Sequence, residues 1–173
     1  MHPEVTLVLG GAASGKSDFA ETLVTATGRD RVYLATAQAF DDEMRHKVDH
    51  HITRRGPLWQ TIEAPLDPAP ALRQIAPDQV CLLDCATMWL SNQLMAGTDL
   101  DAAQTEFLAA LADCAAPVIV VSNEVGHGIV PDNALARQFR EAQGRLNIAL
   151  AAQADCVVQV TAGLPLVLKG RLT

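Results

Sequence analysis

The residues best equipped for chemistry lie in three places. "GGAASGKS", from Gly10 to Ser17, fits the phosphate-loop pattern G-x-x-x-x-G-K-[ST]. Gly10, Gly11, Ala12, Ala13, Ser14 and Gly15 are small enough for successive backbone N–H groups to turn onto phosphate oxygens. Lys16 can then reach the β and γ phosphates, and Ser17 can offer its hydroxyl to Mg²⁺. The alternative is a glycine-rich turn with a solvated lysine. Against it, the loop sits between the apolar run Val5 to Leu9 and a helical pattern from Ser17 to Thr27, where phosphate binding needs it. The second place is Asp84, which closes the apolar run "VCLLD" as the acid of a Walker B strand does; there it holds Mg²⁺ directly or through water, or else caps the helix that follows. The third is "DDEMRHKVDHH", Asp41 to His51, which holds three of the chain's five histidines.

If Asp41 to Arg54 is helical, 100° per residue places Met44, Val48, His51 and Ile52 in one apolar sector, and His46 and His50 on the opposite, polar side. Three readings of His50 compete. His46 and His50, four residues apart, have the spacing of a zinc-binding helical pair, but Lys47 replaces the glutamate of H-E-x-x-H and its cation opposes a metal. A solvated helix face is the plainest reading. The third is a nucleophile: an unprotonated imidazole nitrogen can attack the α-phosphorus of a nucleoside triphosphate, expel pyrophosphate, and pass the nucleotidyl group to a second substrate.

These groups need elements to position them. Val5 to Leu9, Val32 to Ala37, Trp59 to Ala64, Val80 to Ala86, Pro117 to Glu124 and Cys156 to Gly163 read as strands, and Leu164 to Lys169 as the second strand of a terminal hairpin. Helical patterns fall between them: Asp41 or Asp42 caps one that ends at Gly56-Pro57, Asp67-Pro68 opens another, Thr87 to Gly97 forms a third, and Asn133 to Ala154 is long and amphipathic. Near-continuous apolar runs separated by helices predict an α/β, three-layer domain around a mostly parallel sheet, with ligands at the carboxyl ends of the strands.

Composition narrows the function. The chain has 173 residues, long enough for a single domain (1–173) with its own core and short for two. A net charge of −7 and an aromatic share of 4% disfavour a nucleic-acid partner, which wants basic and stacking surfaces. Neither a secretory leader nor a membrane span is expected, and Cys81, Cys85, Cys114 and Cys156, with no C-x-x-C pair, read as reduced core residues of a cytoplasmic protein. The N-K-x-D element of guanine-specific switch GTPases is missing after the strand that ends "SNEVGHG", leaving phosphoryl or nucleotidyl transfer. A one-step small-molecule kinase and a regulatory nucleotide-binding ATPase stay as alternatives.

The blocks "LGGAASGKS", "YLATAQ" with "DDEM" and "HH", "WQTIE", "LLDCATMWLSN" and "SNEVGHGIVPDNALARQFREAQGRLN" resemble the bifunctional adenosylcobinamide kinase / adenosylcobinamide-phosphate guanylyltransferase family of cobalamin biosynthesis. The resemblance implies phosphorylation of the aminopropanol hydroxyl of adenosylcobinamide by ATP or GTP. It then implies transfer of GMP from GTP to adenosylcobinamide phosphate through a GMP-histidine, with Mg²⁺ as cofactor. It puts GMP on His50 and the triphosphate on Gly10 to Ser17, with further nucleotide contacts from Ala35, Thr36, Ala37, His51, Ile52, Thr53, Arg54, Glu63 and Asp84. Some members carry glutamate at the position of Asp84, and His46 belongs to no motif of the family. The resemblance also implies a homo-oligomer, with a trimer as one expected form. For Asn123, Glu124, Arg137, Arg140 and Arg145, substrate or interface contacts stand beside plain structural readings.

Overall fold

The computed structural model describes residues 4–38 and 41–172, with the backbone alone at Lys47 and His51. Its strands are β1 (Val5–Gly10), β2 (Asp30–Ala35), β3 (Trp59–Glu63), β4 (Gln79–Asp84), β5 (Val118–Asn123), β6 (Cys156–Thr161) and β7 (Leu164–Lys169). The helices are α1 (Lys16–Ala26), α2 (Asp42–Arg55), α3 (Ala69–Gln74), α4 (Ala86–Ala96), α5 (Leu100–Asp113) and α6 (Ala134–Gln153). The strands form one sheet in the order β3-β2-β4-β5-β1-β6-β7, parallel except for the antiparallel hairpin β6–β7. The expected α/β architecture is therefore the observed one, including the terminal hairpin.

Alternation along the strands builds two cores. Leu7, Leu34, Leu83, Val120 and Val157 face one way, against Leu72, Trp89, Phe107, Leu111 and Leu146 of α3 to α6. Val8, Leu82, Val121 and Val158 face the other way, against Ala20 and Val24 of α1. All four cysteines are buried and free, as their apolar settings predicted.

Cap chemistry explains the helix starts. Asp41 accepts from the Met44 N–H at 2.7 Å to open α2, and Asn133 accepts from the Ala136 N–H at 2.7 Å to open α6. Asp67 acts one position earlier than expected: α3 begins at Ala69, and the Asp67 carboxylate receives the Ala69 N–H at 3.2 Å.

In the apolar sector of α2 Met44 and Val48 are half-buried, Val48 lining the clefts beside the helix, and Ile52 is 38% exposed. The helix is tied down at its last turn, where Arg54 reaches Asp18 and Glu21 and Arg55 reaches Glu21. The expected inward side chain of His51 lies outside the described residues.

Candidate active site

The parallel strands bring their carboxyl ends to one edge, and that edge carries the predicted groups. The phosphate loop follows β1; Ala35 ends β2 and Thr36 and Ala37 follow it; Glu63 ends β3 and Asp84 ends β4. Two loop glycines are required. A Cβ on Gly10 would strike Ser14 Oγ and come within 2.8 Å of the Val160 carbonyl oxygen, while Gly15 has φ +88 and a Cβ there would lie 3.1 Å from Gly163 Cα. The Gly163 N–H donates to the Ser14 carbonyl at 2.8 Å, so the β6–β7 turn braces the loop from outside. Lys16 Nζ donates to the Gly11 carbonyl at 2.9 Å, folding the cation back over the loop. Ser14 Oγ is buried without a hydrogen-bond partner.

A cleft of about 300 Å³ opens beside the loop, lined by Ser17, Tyr33, Ala35, Ala37, Arg54 and Asp84 among others. Five of the predicted residues, Ser17, Ala35, Ala37, Arg54 and Asp84, thus meet in one place. Ser17 and Asp84 supply hard oxygen donors of the kind Mg²⁺ takes, so the residues present fit that ion. β5 separates β4 from β1; two strand spacings, about 10 Å, lie between the strand axes, which suits an acid that acts on a metal through water. A second hollow, of about 470 Å³, shares Ala37 and Val48 with the first and is lined by Gln38, Arg45, Asp49 and Glu63. Glu63, at the end of β3, is the predicted nucleotide residue on that side.

Thr36 differs from its neighbours. It is wholly buried; its hydroxyl donates to the Cys85 carbonyl at 2.6 Å and accepts from the Cys85 N–H at 2.8 Å. Asn92 Nδ2 donates to its carbonyl at 2.8 Å. Its side chain pins the β4–α4 corner, its hydroxyl both donating and accepting inside the protein.

His50 is exposed on α2 and lines neither hollow, as do Ile52 and Thr53; the Thr53 hydroxyl donates to the Asp49 carbonyl at 2.9 Å. Among the described residues no group of three His, Cys, Asp or Glu side chains is placed to hold a metal.

Residues that sequence reasoning missed are Tyr33, Arg55, Cys85 and Met88, all in the cleft. Tyr33 hid inside a strand and Arg55 in a basic run at a helix end; neither carried a local signal. The Cys85 thiol is pushed up to about 11, by burial first and the neighbouring Asp84 second, so it stays protonated near neutrality and is no nucleophile there. On the far side of the loop, Asn123 ends β5 with its Oδ1 buried and unpartnered, and the Glu124 N–H donates to the Gly10 carbonyl at 2.9 Å. Arg137 holds the carbonyls of Pro131 and Asp132, and Arg140 those of Gly126 and Gly128, so these arginines shape the loop after β5. Arg145 makes an exposed pair with Glu141.

A parallel sheet whose first strand feeds a phosphate loop and whose acid-bearing strand lies beyond one neighbour defines a P-loop nucleotide-binding enzyme. The RadB recombinase, a solved structure, shares this fold, with a TM-score of 0.52 at 16% identity over 91% of this chain and 74% of that one. The chain belongs to the cobinamide kinase / cobinamide phosphate guanyltransferase family, which it matches over residues 6–168. It is 42% identical to the bifunctional adenosylcobalamin biosynthesis protein CobP of Pseudomonas aeruginosa, over 95% of this chain and 96% of that protein. It is 41% identical to the bifunctional adenosylcobalamin biosynthesis protein CobU of Salmonella typhimurium, and 39% identical to CobU of Escherichia coli, in each case over 94% of this chain and 98% of the relative. Among the described residues no helix is long and apolar enough to cross a membrane.

Proposed function

We propose that this protein works in the cytoplasm as a single domain with two linked activities on a corrinoid. In the first, the aminopropanol hydroxyl of adenosylcobinamide attacks the γ-phosphorus of ATP or GTP held on Gly10 to Ser17. Lys16 and the loop N–H groups stabilise the charge that builds on the phosphoryl oxygens. Ser17 and Asp84 would hold Mg²⁺, which when bound neutralises charge between the β and γ oxygens.

In the second activity an unprotonated nitrogen of His50 attacks the α-phosphorus of GTP; the bond to the bridging oxygen breaks and pyrophosphate leaves. A phosphate oxygen of adenosylcobinamide phosphate then attacks the P–N bond's phosphorus, giving adenosyl-GDP-cobinamide and returning His50. The Glu63 carboxylate has the acceptor pair that the N1–H and amino edge of guanine requires. His51, Ile52, Thr53 and Arg54 follow the nucleophile on its helix as further nucleotide contacts, with Ala35 and Ala37 at the end of β2. A homo-oligomer is part of this reading, supported by Leu164, Leu166 and Leu168, exposed on the edge strand β7.

The observation that carries the proposal is the shared cleft: Ser17 of the phosphate loop, Asp84 of β4 and Arg54 of the histidine-bearing helix line one space. A one-step kinase is the competing reading, favoured by the exposure of His50 outside both hollows. Incubation with GTP labelled on the α-phosphate separates them. The expected result is protein-bound label that is acid-labile, base-stable and absent from His50→Ala; protein that stays unlabelled, or label that survives the substitution, would remove the nucleophile.

A further inference from the structure

The last turn of α2 places a cation in an unusual position. Arg55 has a side chain only 3% exposed, and its Cζ lies 3.3 Å from the centroid of the Tyr33 ring. Its Nη1 is 3.8 Å from Glu21 Oε1, and its Nε is buried without a hydrogen-bond partner. The Tyr33 hydroxyl donates to Asp84 Oδ2 at 3.1 Å. Trp59 packs edge-on against the Tyr33 ring at 6.2 Å between centroids, which limits tilt of that ring. Arginine, tyrosine and aspartate therefore form a chain of contacts from the helix that bears His50 to the acid at the end of β4.

Two physical effects act along this chain. A guanidinium over a phenol face is attracted to the ring's negative quadrupole, and more so when both groups are desolvated. The cation also withdraws electron density from the ring, which strengthens the hydroxyl as a donor to a carboxylate; a hydrogen bond to an ionised acceptor is already about twice as strong as a neutral one. A carboxylate held at one oxygen has a fixed orientation for the other, as outer-shell partners do for metal ligands.

We propose that Tyr33 and Arg55 are positioning residues: Arg55, stacked on Tyr33, holds the Tyr33 hydroxyl against Asp84, so that the seating of the last turn of α2 sets the orientation of the Asp84 carboxylate toward the metal. This rests on the reading of Asp84 as the metal-site acid. It links the two activities: a change in how α2 sits would reach Asp84 through Arg55 and Tyr33, and metal bound at Asp84 would bias the seating of α2 in return.

The test is binding of Mn²⁺, as the probe for Mg²⁺, to the full chain with GTP, followed by electron paramagnetic resonance, beside GTP binding in excess chelator. Tyr33→Phe keeps the ring and removes only the hydroxyl. It should weaken Mn²⁺ roughly tenfold, the loss of one charge-assisted hydrogen bond, while chelated GTP binding changes less than twofold. Arg55→Lys, which keeps the charge but not the planar stack, should give a shift of the same sign, and combining it with Tyr33→Phe should add nothing more. Multiplied effects in the double variant, or unchanged Mn²⁺ affinity in Tyr33→Phe beside a clear loss in Asp84→Asn, would overturn the relay alone. Unchanged Mn²⁺ affinity in Asp84→Asn would overturn the reading of Asp84, and this inference with it.

Discussion

The backbone N–H of Gly163 donates to the carbonyl of Ser14 at 2.8 Å, tying the turn of the β6–β7 hairpin to the phosphate loop. The hairpin is thus part of the nucleotide site although it contributes no side chain to it. The space for this contact exists because Gly15 lacks a Cβ. In Gly15→Ala the new methyl group meets Gly163 Cα at 3.1 Å on a backbone with φ +88, and strain of that kind costs about 1–2 kcal/mol. Thermal melts should show the loss, and added GTP should raise the melting temperature far less than in the unaltered protein.

Lys16 and His50 should divide the two activities. Lys16→Ala removes charge stabilisation common to both and should lower each rate by roughly 10²–10³-fold, the size of effect seen for one lost donor to a developing oxyanion. His50→Ala should abolish guanylyl transfer and leave phosphorylation of adenosylcobinamide within a few-fold. Separate rate measurements with each substrate decide it, and equal losses from His50→Ala would contradict separate roles.

Thr36→Val should unfold the protein more readily without touching the nucleotide. The variant strands the N–H of Cys85, whereas its carbonyl keeps the Trp89 N–H at 3.2 Å, and stranding one buried polar group costs about 1–3 kcal/mol. Denaturant titration should show the loss, and Thr36→Ser should recover most of it.

Alkaline pH should destabilise the fold through the buried thiols. Cys85 is raised to about 11, and Cys81, Cys114 and Cys156 are raised as well, burial leading in every case. A raised pKa means the native state keeps a proton that the unfolded chain loses, so the stabilisation is complete below about pH 8.5 and declines as pH climbs toward the folded values. A thiol removes up to about 1.4 kcal/mol per pH unit, and only while the pH lies between its unfolded and folded values. Melting temperatures recorded from pH 8 to 11 under reducing conditions should fall steadily, and a flat profile would contradict the burial of these groups.

Much of the site was legible because its parts are local. A phosphate loop is a strand, a glycine turn and a helix start in one short run, and each leaves its mark in adjacent residue types: Val5 to Leu9, Gly10 to Gly15, then Lys16 and Ser17. The cap of α2 was readable as Asp41 or Asp42 for the same reason, since a cap bonds to an N–H two or three residues away, and the structure selects Asp41. A 3.6-residue period states which residues of α2 share a face but not what covers it. Nor does a threonine at a strand end show in the sequence that its hydroxyl bonds a backbone 49 residues away.

By itself the sequence determined the α/β class, the phosphate loop, the acid Asp84 at a strand end, and the separation of His50 from Met44 and Val48 on α2, because hydrogen bonds and side-chain periods along a strand or helix are settled within a few residues. Only the tertiary structure decided that β5 lies between β1 and β4, that Gly163 supports Ser14, and that Arg55 covers Tyr33 beside Asp84. These relations join segments far apart in the chain, and their geometry follows from how whole layers pack, which no short stretch of residues encodes.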